Sequence, residues 1–369
     1  MPAICLFLAG DVMTGRGIDQ ILAVPGEPTL HEHYVHDARD YVSLAERKSG
    51  AIPRAVPPGY IWGDALPELA SRRPDLRIVN LETAVTVSAD AWPGKGIHYR
   101  MHPANIGCLT AAGIDCAVLA NNHVLDWGEA GLTDTIAVLQ REGIATSGAG
   151  PDTDAAAHPA LLDVPGKGRV VLLAFAMESA GTLRQWQAGD SRPGVNLLPD
   201  FSTASAARIA SQVRAFRQPG DVVVVSMHWG SNWGFGLEPG QQAFAHRLID
   251  EAGVDIVYGH SSHHVKGIEC HGGKLILHGC GDFINDYEGI GGYESFAPDL
   301  ALMYFVTVDV AGGRLADLTL VPLRRQRFRL CRATEAERDW LGRVLDREGR
   351  AFGTRVSRLA RSGLQVVCA

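Results

Sequence analysis

Short β-branched runs alternate with helix-patterned stretches along this chain, and several of the runs end abruptly in a polar or charged residue. The runs are ICLFLAG (4–10), LRIVN (76–80), DCAVLA (115–120), RVVLLAFA (169–176), DVVVVSM (221–227), DIVY (255–258), KLILHG (274–279) and ALMYFVTVDV (301–310). LADLTLVPL (315–323) follows the last across a Gly-Gly turn and reads as its hairpin partner. Helical spacing predicts helices over 63–73, 104–112, 129–142, 203–217, 240–252 and 334–349, with Leu341, Val344 and Leu345 on one face of the last. Such alternation specifies an α/β class, with antiparallel pairs late in the chain. Residues 24–62, rich in Pro, Gly and His, read as one long irregular insertion of the kind that often covers a site.

Charge and composition exclude several classes. The net charge is -7 with both signs interspersed, so nucleic acid is not an expected partner. The basic stretch RRQRFRLCR (324–332) reads as a solvated edge strand. The apolar runs fall short of the roughly 18–20 residues that span a bilayer, so no membrane partner is expected. MPAICLFLAGDV lacks a positive leader and a small-residue cleavage site, and reads as a first strand. The seven cysteines (5, 108, 116, 270, 280, 331, 368) include no CxxC pair, and reduced thiols in a cytoplasmic protein are expected.

The strand ends carry the chemistry. ICLFLAG delivers Asp11, and LRIVN ends in Asn80 with Glu82 behind it. DCAVLA opens into Asn121, Asn122 and His123, with Asp126 close by. DVVVVSM leads to His228, DIVYG to His260, His263 and His264, and KLILHGCG to Asp282, Asn285 and Asp286. Ligands of open α/β sheets sit beyond the carboxyl ends of strands. Each residue alone is an ordinary cap or turn residue; six such deliveries together point to a shared site. Mixed carboxylate, amide and imidazole donors suit Zn, Mn, Fe or Co rather than Ca or Mg. Their spread over many loops has the character of a catalytic site rather than a closed structural one. Arg16, just beyond Asp11, reads either as a bidentate anion clamp or as a partner for a carboxylate. Trp229 and Trp233 flank a ligand loop and are candidates for lining the cleft.

GDVMTGR (10–16), NLET (80–83), NNHVLDWGEAG (121–131), MHWG (227–230), GHSSHHVKGIE (259–269) and GCGDFINDYEG (279–289) together resemble the CapA family. These are poly-γ-glutamate capsule synthesis-type proteins, related to calcineurin-like metallophosphoesterases. The resemblance implies a four-layer sandwich of two mixed β-sheets flanked by helices. It implies one domain over 1–330 and a helical extension over 331–369 packed on it. It also implies one or two divalent ions drawn from Mn, Zn, Fe, Co or Ca. By position, Asp11, Glu82, Asn122, His228, His260 and His263 look like the metal ligands, and His123 like the adjacent acid. Asp11 and Arg16 join His123 as catalytic candidates, with Asn121, Asp126, His264, Asp282 and Asn285 supporting them. The first block reads Asp11-Val12-Met13 where phosphoesterases carry D-x-H, and the closing histidines are three apart, or four if His264 is used, rather than two. Many capsule-type relatives carry a membrane anchor, and this sequence shows none.

The favoured reading is a hydrolase acting on a phosphoester or related bond with metal-activated water. In it His123 protonates the leaving group and Arg16 holds the anion. A second reading is a peptide-modifying enzyme, an epimerase in which a metal acidifies a Cα proton. A third is a non-catalytic protein of polymer or peptide handling. The substrate is expected to be a small molecule or a peptide.

Overall fold

The computed structural model describes residues 2–359 and 363–368. A ten-stranded mixed sheet runs from edge to edge through Thr354–Arg358, Leu364–Cys368, Arg314–Gln326, Leu300–Asp309, Ala3–Val12, Leu76–Leu81, Cys116–Val118 and Ala145–Ser147. Asp282–Ile284 lies parallel to Ala3–Val12, with Asp11 opposite Asp282, and Arg329–Arg332 lies beside Arg314–Gln326. A seven-stranded mixed sheet follows the order Leu197–Leu198, Gly168–Met177, Asp221–His228, Ile256–His260, Lys274–Leu277 and Ile268–His271, with Ala160–Val164 paired to Gly168–Met177. This is the α/β class expected from the alternation, with the two mixed sheets that the family resemblance implies.

The four consecutive valines show why these strands form a central layer. Every residue of Asp221–His228 is buried. Side chains of a strand alternate between faces. Val222 and Val224 therefore join Val170, Leu172 and Ala174 in the core shared with the first sheet. Val223, Val225 and Met227 enter a second core with Ile209 and Val213 of the helix Thr203–Phe216, and with Phe244 and Leu248 of the helix Gln241–Asp250. A parallel strand buried on both faces reads as a near-continuous apolar run. The two sheets meet closely. The Tyr258 hydroxyl donates to the Ala9 carbonyl. A Cβ on Gly10 would lie 1.6 Å from the Gly281 carbonyl oxygen, so only glycine lets the first strand approach there.

Three expectations are revised. The 24–62 insertion is not irregular throughout: it contains the helix Arg39–Ser49, which buries Tyr41, Val42 and Ala45. The 331–369 segment is not only helical. After the helix Glu335–Gly349, the strands Thr354–Arg358 and Leu364–Cys368 extend the first sheet beside Arg314–Gln326. Cys270 and Cys368 are joined in a disulfide, so the reduced state expected for all seven cysteines does not hold for this pair. Cys5, Cys108, Cys116, Cys280 and Cys331 are free. A bonded pair suits an oxidising surrounding better than a reducing cytoplasm. Among the described residues no helix is long and apolar enough to cross a membrane.

Candidate metal centre

The strand ends converge where the two sheets meet. Asp11 ends the first strand, Glu82 follows Leu76–Leu81, and His228 ends Asp221–His228. Each offers one ligand atom, and these three atoms lie within 4.8 Å of one another, all buried. Around them, Asn122 Oδ1 accepts from His228 Nε2 at 3.2 Å. His260 Nδ1 stands 3.4 Å from Asp11 Oδ1 while its Nε2 pairs with Ser226 Oγ at 2.9 Å. Asn80 Nδ2 donates to Asp11 Oδ1 at 2.8 Å and to Glu82 Oε2 at 3.3 Å, holding the two carboxylates side by side. Ser261 adopts φ 90°, and its backbone N–H donates to Asp11 Oδ2 at 3.2 Å. A non-glycine residue in that region is strained, and such strain gathers at functional sites.

The electrostatics are those of a centre completed by a cation. Burial, with Asp11 and Asp282 nearby, drives the Glu82 carboxyl well above its usual range. Burial would also raise Asp11, but the His260 and His228 rings beside it and the Asn80 amide outweigh it and hold that carboxyl low. Burial pushes His228 down to about 3 against the pull of Asp11, leaving a neutral imidazole. His228 Nδ1 and His260 Nδ1 are buried with no hydrogen-bond partner. The unpartnered His260 Nδ1, 3.4 Å from Asp11 Oδ1, and the His228 Nε2, 3.9 Å from Glu82 Oε1, beside two crowded carboxylates fit a divalent ion.

His123 sits at the edge of this triad, its Nε2 3.8 Å from Glu82 Oε1. Its Nδ1 donates to Asp126 Oδ2 at 2.7 Å. Asp126 also accepts from the Lys95 ammonium and from the Tyr99 N–H at 2.6 Å. Burial takes His123 down to about 4 although Asp126 opposes it, so the ring is neutral near pH 7. Lys95 Nζ stands 2.9 Å from the same Nδ1, so Asp126 and Lys95 meet that nitrogen together and Nε2 is the one turned to the centre. Asn121 fastens the loop: its amide donates to Asn80 Oδ1 at 3.0 Å and to the Leu81 carbonyl at 2.9 Å. Its own Oδ1 accepts from the His123 and Val124 N–H groups at 3.1 and 3.0 Å.

The remaining expected residues divide. His263 is not part of the triad; its Nδ1 donates to Asp282 Oδ1 at 3.0 Å, and Asn285 Nδ2 donates to Asp282 Oδ2 at 2.7 Å. Burial lowers His263, but Asp282 more than compensates and raises it. His264 does not orient a ligand. Its Nδ1 faces the Val265 carbonyl, and its ring packs against Trp233, Phe235 and Phe296.

Arg16 is not a free anion clamp either. Its guanidinium pairs with Asp286 at 2.6 Å and with Glu32 at 2.8 Å, and it lies over the Tyr41 and Tyr99 rings. Both carboxylates are buried with it, so it is a buried hub tying the first strand's loop to the insertion. Trp229 is core, its Nε1 donating to the His278 carbonyl at 3.0 Å. Trp233 does line a cleft of about 250 Å³, with Tyr34, Tyr287, Tyr293, His263 and the buried Arg16, while Asp11, Glu82 and His228 do not line it.

Sequence reasoning missed Lys95, Glu32 and Ser226. Lys95 lies in the loop Pro93-Gly94-Lys95-Gly96, which has no period to mark it. Its only signal was a lone cation inside a Gly-rich segment.

Two sheets thus meet over a buried carboxylate–histidine triad. The family described as bacterial capsule synthesis protein PGA_cap matches residues 5–287. A Mycobacterium tuberculosis protein named "Probable polyglutamine synthesis accessory protein" is 48% identical over 365 residues, covering 99% of this chain and 96% of the relative. The chain therefore belongs to the CapA-type capsule synthesis family. The PGA biosynthesis protein CapA of Bacillus subtilis is 26% identical, covering 75% of this chain and 62% of its own length. A solved structure, a novel phosphatase from Mycoplasma pneumoniae, is matched at TM-score 0.47 and 12% identity, over 89% of this chain and 96% of that one. That likeness is too loose to inform the chemistry.

Proposed function

We propose that this chain is a metal-dependent hydrolase whose centre is Asp11, Glu82 and His228, with Asn122 and His260 beside them. The observation that carries the reading is the buried triad within 4.8 Å, faced by the neutral, Asp126-held His123. A divalent ion bound there supplies Lewis acidity and lowers the pKa of water. Asp11, Glu82 and His228 hold it, and Asn80 keeps the carboxylates together. Asp126 fixes the His123 tautomer so that Nε2 faces the reacting region, where it takes up or delivers a proton. Lys95 neutralises Asp126 and keeps that dyad from drawing a second proton. The cleft lined by Trp233, Tyr287 and Tyr293 receives the substrate, a small molecule or a peptide.

A second reading, peptide-directed chemistry with exchange of a Cα proton, is favoured by one observation. Arg16, the cation in the cleft lining, is already neutralised by Asp286 and Glu32. An aromatic cleft whose cation is satisfied suits an uncharged chain better than a phosphate. The relatives' names, which speak of polyglutamine and PGA synthesis, favour a peptide-like polymer as well.

One experiment separates the readings. Wild type and Asp11→Asn are supplied with Mn²⁺ or Zn²⁺ and given phosphomono- and diesters, and peptides in D₂O. Phosphoester turnover present in wild type and lost in a folded Asp11→Asn supports hydrolysis. Turnover that persists in Asp11→Asn removes Asp11 from the mechanism. Deuterium entering the peptide without cleavage replaces hydrolysis with proton exchange.

A further inference from the structure

The outer face of the second sheet carries a second group of metal-type donors, none of which belongs to the centre. Ile268–His271 and Lys274–Leu277 form an antiparallel hairpin at that sheet's edge. Glu269 and His271 are two apart on one strand, so they share a face. His246 and Asp250 are four apart on the helix Gln241–Asp250, so they too share a face. Helix and strand bring these faces together. His246, Glu269 and His271 each offer one ligand atom, and the three atoms lie within 4.8 Å of one another.

We propose that His246, Glu269 and His271 form a second cation site, selective for a zinc-class divalent ion, that clamps the helix Gln241–Asp250 to the edge strand. Glu269 is buried, and both of its oxygens are already directed. Oε1 accepts from His246 Nε2 at 2.5 Å and from Gln242 Nε2 at 3.0 Å, and Oε2 accepts from His278 Nε2 at 2.8 Å. His278 thereby fixes the carboxylate from the buried side, as outer partners of metal ligands do. The His246 and His271 rings lie parallel, with centroids 3.8 Å apart and planes 9° apart. The lone pairs of parallel rings run side by side, so one of these partly exposed imidazoles turns out of the stack for both to meet a shared ion with Glu269. Asp250 accepts from His271 Nε2 at 2.9 Å and adds a carboxylate at the rim.

Two imidazoles and a carboxylate select Zn, Co, Ni or Cu over Ca or Mg. The His246 and His271 side chains are 30% and 27% exposed, so an ion enters from solvent without opening the core. Glu269 and His271 flank Cys270, whose disulfide to Cys368 pins the same strand. The ion and the disulfide thus fasten one edge strand from two directions. This proposal stands independently of what the centre catalyses.

The test uses the full chain with the centre disabled by His228→Ala, so that the two sites cannot be confused. Zinc bound after equilibrium dialysis at micromolar Zn²⁺ is counted, and melting is followed with and without Zn²⁺. Expected is one zinc per chain and a zinc-dependent rise in melting temperature. Both should be lost when His271→Ala or His246→Gln is added, with affinity falling by more than about tenfold. His246→Gln keeps a donor for Glu269 and protects the test against a folding failure in His271→Ala. A folded His228→Ala chain that takes up no zinc overturns the proposal. Zinc uptake unchanged by both added substitutions overturns it equally.

Discussion

Two clusters of the same residue types sit in this molecule, and they are built by different means. The centre collects Asp11, Glu82 and His228 from three strands far apart in sequence, at the carboxyl ends of a mostly parallel arrangement. The edge cluster collects His246, Glu269 and His271 from one helix and one antiparallel strand within a short span of chain. The first is fully buried, crowded with like charge, and holds imidazole nitrogens without partners. In the second, the titratable donors largely satisfy one another at the surface. Burial with unmet demand is what chemistry needs; satisfied, half-exposed donors are what a clamp needs. The comparison teaches that donor identity alone does not separate a reaction centre from a fastening.

The sharpest way to break this contrast is to remove one donor from each cluster. Asp11→Asn keeps the side chain's shape and should abolish turnover, with central metal affinity falling by more than about 100-fold. His271→Ala should leave turnover unchanged. Steady-state rates with metal titration on both variants check this; a large loss of turnover in His271→Ala would merge the two clusters into one function.

His123 gives the next largest effect. His123→Ala should lower kcat by about 10²- to 10⁴-fold, the range for one positioned acid or base, while central metal content stays near wild type. The pH dependence follows from the depressed pKa. An unfolded histidine titrates near 6.5, and this one only near 4. The folded chain therefore resists the proton that the unfolded chain accepts. Stability contributed by neutral His123 is present above about pH 6.5 and is lost as pH falls through about 4. Thermal melts between pH 7 and pH 4 in chelator should fall less steeply for His123→Gln than for wild type. Asp126→Asn comes third, with a loss of about 10- to 100-fold in rate, since it acts only through His123. Rates and metal content measured together distinguish it from a ligand loss.

Much of the fold was legible because its signals are local. The runs DVVVVSM and ALMYFVTVDV declare strands buried on both faces, and the Gly312-Gly313 turn declares the hairpin. The strand ends pointed to Asp11, Glu82, Asn122, His123 and His228, and these do lie together. What the sequence hid depends on long-range geometry. Lys95 reaches Asp126 from an irregular loop. Arg16 reads equally as an anion clamp or as a carboxylate's partner until Glu32 and Asp286 are brought to it from distant parts of the chain. His263 and His264 are neighbours that the turn at Ser261 sends apart, one to Asp282 and the other into an aromatic cluster. Cys270 and Cys368 are separated by 98 residues, and no spacing rule joins them.

The smallest expected effect probes whether edge and centre are mechanically independent. The helix Glu335–Gly349 opens with a reciprocal cap: Thr334 Oγ1 accepts from the Glu337 N–H at 3.3 Å, and the Thr334 N–H donates to Glu337 Oε2 at 2.7 Å. This helix packs against Ile268–His271, and the Thr354 hydroxyl just beyond it donates to the Ile268 carbonyl at 2.7 Å. The C-terminal segment therefore braces the strand that carries Glu269 and His271. Thr334→Ala removes the cap acceptor and should cost about 1 kcal/mol of stability in a denaturant melt. Because the cap meets Arg324 of the first sheet and no residue of the centre, turnover and central metal content should not change. A rate that falls with the cap would mean that the edge strand's position is transmitted to His260 through the strand Lys274–Leu277 between them.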